Sequence, residues 1–297
     1  MSETQDYMVR AIAANQEIRA FAVTSKNLVE EARRAHGTAP VCTAALGRTM
    51  SGALMMSGML KDKDSVLTLQ FSGDGPIGGI TVTADNNGNV KGFVQNPLVV
   101  LPLKEDGHLD VGQAVGKGTL TVIRDMDKDH TYNGQVAIHS GEIADDLTHY
   151  FAESEQVPSV VGLGVLVDTD YSVKHAGGFI IQLMPFATEE TISRLENNMK
   201  DVGYVTEMLD AGFSPEDMLT RVLDGFDVEI TQTLPVQFHC NCSRDRVERA
   251  LKLLGKAELD SIIEEGHETE LACHFCGKKY QFSVDEIRGL RAELKNS

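Results

Sequence analysis

Two short cysteine clusters constrain this chain more than any other feature. Four of its five cysteines lie in Cys240-Asn241-Cys242 and Cys273-His274-Phe275-Cys276. Side chains alternate along an extended chain, so both sulfurs of a Cys-x-Cys pair leave the same face. A tight turn relieved by Gly277 can bring the second pair together. The sequence therefore predicts that each pair can bind one ion, and that folding joins the pairs into a closed four-cysteine zinc site.

The spacing alone leaves other interpretations of these thiols open. Two structural disulfides are disfavoured, because we expect a reducing compartment. His239, His267 or His274 could replace one thiolate, although four cysteines already complete a tetrahedral shell. A plain structural zinc ribbon is the simplest interpretation. The Cys-x-Cys pair instead favours a redox role, because it is less common in ribbons and permits a strained, easily reduced disulfide.

A metal would dominate the stability of the C-terminal domain, which we place at residues 233–297. Helices are predicted at 244–254, 257–264 and 285–295, with strands at 270–272 and 279–282. So small a core is marginal. A structural zinc contributes roughly 10–16 kcal/mol in small zinc peptides, and whole domains are stable by only about 5–15 kcal/mol. We expect metal loss to unfold this domain, and oxidants to attack its thiolates first.

The N-terminal part, residues 1–185, is predicted to be a core domain. Its strands arrive mostly as hairpins, and Asn86-Asn87-Gly88-Asn89 is a strong hairpin turn. Helices at 27–36 and 43–60 are interspersed with these strands. We therefore expect an α+β fold with a largely antiparallel sheet. Four methionines between Met50 and Met59 suit either an adaptable binding surface or the core, and core packing is favoured.

Residues 186–232 are predicted to be an acidic helical linker, with eleven acidic and three basic side chains. Apolar residues recur at helical spacing from Ile192 to Leu209, which predicts one helix that starts near Thr188 and ends before Gly212. Ser214-Pro215-Glu216-Asp217 predicts the start of another. Because a single apolar stripe cannot be buried alone, the linker must lie on another part of the chain.

Composition and charge exclude several function classes. A net charge of −17 argues against a general nucleic-acid binder. The polar, acidic start of the chain is unlike a signal peptide, and Arg48 interrupts the longest apolar run, which spans residues 41–60. We expect a cytoplasmic protein without membrane partners. We also expect no enzymatic activity, because four thiolate ligands leave no open position for a zinc hydrolase or deaminase.

Several motifs together resemble one known family, the redox-regulated thirty-three-kilodalton heat-shock chaperones (holdases) of bacteria. The resemblance covers nearly the whole chain, and the two cysteine motifs are its most specific part. The motifs are Gly73-Asp74-Gly75-Pro76, Gly141-Glu142-Ile143-Ala144-Asp145-Asp146-Leu147, Ser154-Glu155-Gln156-Val157-Pro158, Gly177-Gly178 with Gln182-Leu183-Met184-Pro185, Cys240-x-Cys242-Ser243 and Cys273-x-x-Cys276-Gly277.

The resemblance implies an ATP-independent holdase that binds unfolded or partly folded client proteins under oxidative stress. In the reduced, inactive form one Zn²⁺ per chain would be bound by Cys240, Cys242, Cys273 and Cys276. Oxidation would form the disulfides Cys240–Cys242 and Cys273–Cys276, release zinc, unfold the C-terminal domain and the linker, and favour a homodimer. Cys42 has no part in such a switch, and we expect a buried thiol there, with a redox role as the alternative.

The alternative function is a structural zinc-ribbon protein that binds a protein or RNA partner. Residues 233–297 carry eleven acidic and ten basic side chains. This near balance leaves room for a local basic face, which RNA binding would require.

Overall fold

A computed structural model describes residues 5–60, 62, 65–125 and 131–294. These residues fall into two compact units, a large unit (Met1–His239) and a small unit (Cys240–Ser297). Ten helices and thirteen strands occur in the described residues. All sheet neighbours are antiparallel except one pair. The predicted α+β class with largely antiparallel sheets is confirmed.

The first sheet of the large unit has five strands in the order β10-β1-β2-β9-β8. They are β1 (Tyr7–Ala13), β2 (Ile18–Thr24), β8 (Ser159–Val167), β9 (Val173–Leu183) and β10 (Val228–Pro235). Neither β1 nor β10 was predicted from the sequence, and these two strands pair with each other. Most side chains of β10 are exposed. Its backbone pairing therefore arises from tertiary structure rather than from an alternating apolar pattern.

The second sheet has six strands in the order β11-β5-β4-β3-β6-β7. They are β3 (Val66–Gly73), β4 (Ile80–Asp85), β5 (Asn89–Val94), β6 (Gly118–Asp125), β7 (Thr131–Ala137) and β11 (Gln237–Phe238). The predicted hairpin turn joins β4 to β5, and Gly88 there adopts a φ of +85°. A Cβ on Gly88 would lie 2.2 Å from the carbonyl oxygen of Pro235. The short strand β11 pairs with β5 in parallel.

Helix α2 forms the centre of the large unit. The helices of this unit are α1 (Lys26–His36), α2 (Pro40–Ser57), α3 (Val111–Val115), α4 (Ile143–Glu153), α5 (Glu189–Met199), α6 (Val205–Asp210) and α7 (Pro215–Val222). Helix α2 contacts strands of both sheets. Met50, Met55 and Met56 are almost completely buried in it, which confirms the core interpretation. Among the described residues, no helix has the length and apolarity that a membrane span requires.

The acidic segment covers one face of the first sheet with three helices. The prediction of one continuous helix up to Leu209 was wrong, because the chain leaves helical geometry after Met199 and α6 begins only at Val205. Gly203 adopts a φ of +70° between them, a conformation that ends a helix. The predicted caps are confirmed, since the hydroxyls of Thr188 and Ser214 accept backbone N–H groups of α5 and α7.

This arrangement gives the acidic segment the apolar neighbour that its stripe requires. Ile18, Phe179 and Ile181 from the sheet pack in one buried cluster with residues of α5, α6 and α7. The helical members of that cluster are Leu195, Val205, Met208, Leu209, Met218, Leu219 and Val222. Burial of apolar side chains is worth about 1.5–3 kcal/mol each, so this contact is a major part of the stability of the large unit.

The small unit consists of three helices and one hairpin. These elements are α8 (Arg244–Leu253), α9 (Lys256–Glu265), α10 (Val284–Glu293), β12 (Thr269–Ala272) and β13 (Lys279–Phe282). All of them were predicted within two residues at each described end. Lys295, the predicted end of the last helix, lies outside the described residues.

The buried carboxyl group of Asp6, directly before β1, makes the stability of the large unit depend on pH. Asp6 is 5% exposed, and its Oδ2 accepts the backbone N–H of Leu28 in α1 at 2.9 Å. Burial raises the pKa of Asp6 from 3.8 to about 6, against the effect of the α1 backbone donors. The folded protein therefore holds the proton more tightly than the unfolded chain, and this contribution to stability is lost as pH rises through 6.

We predict that Asp6→Asn removes this dependence. Between about pH 5 and pH 8, the free energy of unfolding of the wild type should fall by about 1.4 kcal/mol relative to that of Asp6→Asn. This amount corresponds to a difference of one pKa unit. Urea unfolding followed by circular dichroism measures the difference. The exposed Asp224→Asn serves as the control and should parallel the wild type. Parallel pH profiles for wild type and Asp6→Asn would contradict the prediction.

Candidate metal centre

The first cysteine pair stands directly before helix α8. Ser243 is the N-cap of this helix, has extended backbone angles, and accepts the N–H of Arg246 through its hydroxyl. The guanidinium of Arg246 also donates to Asn241 Oδ1 at 2.8 Å, which ties the residue between the two cysteines to the helix. The cap and this hydrogen bond hold Cys240 and Cys242 in a defined geometry.

The second pair forms the turn between β12 and β13. The N–H groups of Cys276 and Gly277 donate to the carbonyl oxygen of Cys273 at 3.3 and 2.8 Å, and the N–H of Cys273 donates to Lys278 at 2.9 Å. Gly277 adopts a φ of +68°, which favours glycine at this position. The turn therefore brings Cys273 and Cys276 together, as their spacing predicted.

All four sulfurs meet at one point of the small unit. They lie within 4.8 Å of one another, with 3.7 Å between the sulfurs of Cys240 and Cys273 and 3.5 Å between those of Cys242 and Cys276. A tetrahedral zinc with bonds of about 2.3 Å separates its ligand sulfurs by about 3.8 Å. The two shortest of these separations are thus close to the value for a four-thiolate zinc site, and the donor set fits this metal.

No described histidine is part of this group of candidate metal ligands. His267, one of the three histidines that could have replaced a thiolate, is exposed, and its Nε2 lies 3.6 Å from Glu265 Oε2. Each cysteine of the group is half-buried. The cluster is therefore accessible to a small oxidant or a chelator. Its half-buried position still limits the access of water, which competes with the sulfurs as a metal ligand.

The thiols differ in acidity because their surroundings differ. Burial opposes ionisation of Cys242, but the hydroxyl of Tyr280, which donates to its sulfur at 3.1 Å, and the neighbouring thiols outweigh this effect and lower its pKa to about 7. Burial and the neighbouring sulfurs raise the pKa of Cys276 to about 12. One thiolate in such a cluster makes further ionisation unfavourable, and a bound cation removes that penalty.

A small apolar core supports the cluster. Cys242 and Cys273 pack against buried residues, namely Leu251, Leu259, Tyr280, Phe282, Ile287 and Leu290. Two charged contacts surround this core. Arg291 donates from Nε and Nη2 to the two carboxylate oxygens of Asp260, and the guanidinium of Arg244 lies 4.3 Å from the centre of the Phe282 ring. A core of this size is marginal without a further crosslink.

Tyr280 was not predicted from the sequence as a partner of the thiols. The alternation of β13 could have indicated it, because Tyr280 and Phe282 share the buried face of that strand. Cys42, by contrast, is where it was expected. Its buried thiol lies in α2, 3.4 Å from the carbonyl oxygen of Asn96, and burial raises its pKa. A high pKa makes a thiol unreactive.

We predict that Tyr280→Phe weakens metal retention by about tenfold, since an outer partner of a metal ligand typically contributes 10- to 100-fold. Loss of zinc to a chromogenic chelator measures this effect. Tyr132→Phe is the matched control, because its ring is 42% exposed and belongs to the large unit. Identical chelation kinetics for Tyr280→Phe and wild type would show that the hydrogen bond does not support the cluster.

Comparisons with known proteins agree with one another. Residues 6–283 match the family described as "Hsp33 protein". The 33 kDa chaperonin of Agathobacter rectalis is 56% identical over 286 residues, which cover 96% of this chain and 99% of that protein. The 33 kDa chaperonin of Bacillus subtilis is 47% identical over 287 residues, which cover 96% of this chain and 98% of that protein.

A solved structure is also similar to this chain. The crystal structure of a 33 kDa chaperonin (heat shock protein 33 homolog) from Thermotoga maritima superposes with a TM-score of 0.90 at 35% sequence identity. The match covers 97% of this chain and 98% of that one. The likeness therefore extends over the fold as well as the sequence.

Proposed function

The chain belongs to the Hsp33 family, and we propose on this basis that it is a redox-regulated chaperone, which binds unfolding proteins without ATP. The observation that carries the proposal is the convergence of four half-buried thiols within 4.8 Å of one another. The relatives' name, 33 kDa chaperonin, is consistent with binding of client proteins. The proposal places the protein in the cytoplasm, where thiols stay reduced until oxidative stress.

In the reduced form, Cys240, Cys242, Cys273 and Cys276 would bind one zinc ion per chain. The ion supplies a crosslink between the α8 N-terminus and the β12–β13 turn, and it neutralises thiolate charge. Metal binding of this kind is worth roughly 10–16 kcal/mol in small zinc peptides, so it can decide whether the small unit is folded.

Oxidation would remove the ligands in pairs. One hydrogen peroxide and the two thiols of a pair give one disulfide and two water molecules, with two electrons passing from sulfur to peroxide. We propose the pairs Cys240–Cys242 and Cys273–Cys276, in which the two sulfurs belong to the same short segment. A disulfide sulfur carries no negative charge and is a poor zinc ligand, so the ion leaves and the small unit loses its crosslink.

The client-binding surface would lie outside the cysteine cluster. We propose three functional parts: the core of residues 1–185, the linker of residues 186–232 and the switch domain of residues 233–297. The linker helices cover Ile18, Phe179 and Ile181 of the first sheet. If the linker detaches, both its apolar stripe and this sheet face are exposed, and large apolar patches are binding surfaces.

Polar contacts also hold this segment in place. Residues 228–232 pair with β1 as part of β10, and the N–H and hydroxyl of Thr188 donate to Glu17 Oε2. The hydroxyl of Tyr7 donates to Glu216 Oε2 at 2.7 Å, and the ammonium of Lys174 lies 2.5 Å from Asp210 Oδ1. Exposed ion pairs contribute only about 0.2–1 kcal/mol each, so the apolar contact dominates. Two exposed apolar surfaces can also meet across copies, and we propose a homodimer of the oxidised form. The net charge of −17 would keep such complexes soluble.

We predict that peroxide at elevated temperature activates the protein. Zinc release should accompany the loss of four thiols, and suppression of aggregation of a thermally unfolded client should appear at the same time. A zinc-sensitive dye, thiol titration and light scattering measure the three quantities, and mass spectrometry of peptides identifies the disulfides. Equal suppression by the reduced, zinc-loaded protein would overturn the redox proposal. Salt-sensitive RNA binding by that form would support the zinc-ribbon alternative instead.

We predict that Cys240→Ser lowers zinc retention and increases proteolysis within residues 186–297 under reducing conditions. A serine hydroxyl is a poor ligand for this metal, so the mutation imitates part of the oxidised state. Zinc stoichiometry and limited proteolysis followed by mass spectrometry measure the effects.

Cys42→Ser is the matched control, since it removes the remaining cysteine, which lies in the core at α2. Zinc content should stay at one per chain in this variant. If Cys240→Ser loses zinc but its cleavage pattern equals that of the wild type, the proposed coupling between switch domain and linker is wrong.

A further inference from the structure

A cavity of 560 Å³ lies at the C-terminal end of α2 in the large unit. Strands β1, β2 and β10, the end of α2 and the β4–β5 turn form its walls. This volume falls within the range of about 300–1,000 Å³ that is typical of small-molecule sites. None of its lining residues is one of the four cysteines.

Two arginines on neighbouring strands line this cavity. Arg10 on β1 lies opposite Phe21 on β2 in the sheet register, and Arg19 is two residues before Phe21 on the same face. Both guanidinium carbons lie 5.9 Å from the centre of the Phe21 ring, which is completely buried. Two positive charges are thus held beside one ring, where they repel each other.

No acidic side chain compensates these charges within the described residues. The described lining of the cavity contains no Asp or Glu, and neither Arg10 nor Arg19 forms a salt bridge with a described carboxylate. The Nε and Nη2 of Arg19 donate to the neutral Oε1 of Gln182 at 3.2 and 2.6 Å. Acidic residues are not scarce in a chain with 44 of them against 27 basic ones. The uncompensated pair is therefore a local property of this cavity.

The β4–β5 turn contributes an acceptor to the lining of the same cavity. The amide nitrogen of Asn86 donates to the carbonyl oxygen of Asp62 at 2.6 Å, which assigns the orientation of this amide. Its Oδ1 is buried and has no hydrogen-bond donor among the described residues. A buried acceptor without a donor is unfavourable. Met8, Phe21 and Leu234 add apolar surface to the same cavity.

We propose that this cavity binds a small phosphate monoester. Its phosphate group lies between Arg10 and Arg19, and a hydroxyl group of its body donates to Asn86. A phosphate dianion matches the two guanidinium charges, whereas a carboxylate leaves one of them unpaired. The planar fork of arginine also suits bidentate binding of phosphate oxygens.

Isothermal titration calorimetry of the full, zinc-loaded chain at constant ionic strength tests the proposal, with inorganic phosphate and glycerol 3-phosphate as probes. We expect one site, with tighter binding of glycerol 3-phosphate. Arg10→Gln and Arg19→Gln should each weaken binding at least about tenfold, since each removes charge-assisted hydrogen bonds. The control Arg34→Gln, an exposed arginine on α1 that pairs with Glu30, should bind like the wild type.

Further variants keep the test decisive. Arg10→Lys retains the charge and loses the fork, so it should bind several-fold more weakly even if Arg10→Gln fails to fold. Asn86→Ala should reduce the preference for glycerol 3-phosphate over phosphate. Absence of binding heat for both probes, or wild-type affinity in Arg10→Lys and Arg19→Gln, would overturn the site. Equal affinity of the two probes for the wild type would overturn the monoester assignment.

Discussion

The convergence of four sulfur atoms is the constraint on which the small unit depends. Four thiolates this close would repel one another, and protonation, a bound cation or oxidation relieves that repulsion. The apolar core that supports them has six buried residues, too few to hold the arrangement alone. The same sulfurs are the groups that an oxidant attacks first. Stability and chemical sensitivity therefore reside in the same four atoms.

The large unit obtains its stability in a different way. Helix α2 is buried on nearly all sides and contacts both sheets, so its burial is independent of any metal. The acidic helices α5–α7 use only one face, and they cover the side of the first sheet on which Ile18 and Ile181 lie. A one-sided contact can be lost without dismantling the central helix. This difference makes the segment of residues 186–232 the natural candidate for a part that detaches.

The charge distribution separates the two proposed sites. The chain is strongly acidic, yet Arg10 and Arg19 face a cavity without an acidic lining residue among those described. Their position on β1 and β2 places them on the sheet face opposite the linker cluster, which contains Val9, Ala11 and Ala20. Alternation along the strands thus places the arginine pair on the face that does not contact the linker cluster.

The local sequence pattern was sufficient to predict the features that depend on residues close together in the chain. It determined the four-cysteine set, the hairpin at Gly88, the caps at Thr188 and Ser214 and nearly all elements of the small unit, because turns, caps and short chelating spacings are short-range interactions. Only the tertiary structure decided the pairing of β10 with β1, the break of the linker helix at Gly203, the contact of Tyr280 with Cys242 and the meeting of Arg10 with Arg19. Strand pairing, cross-strand contacts and the docking of helices join residues that are distant in the chain, and local periodicity carries no information about which distant partner they meet.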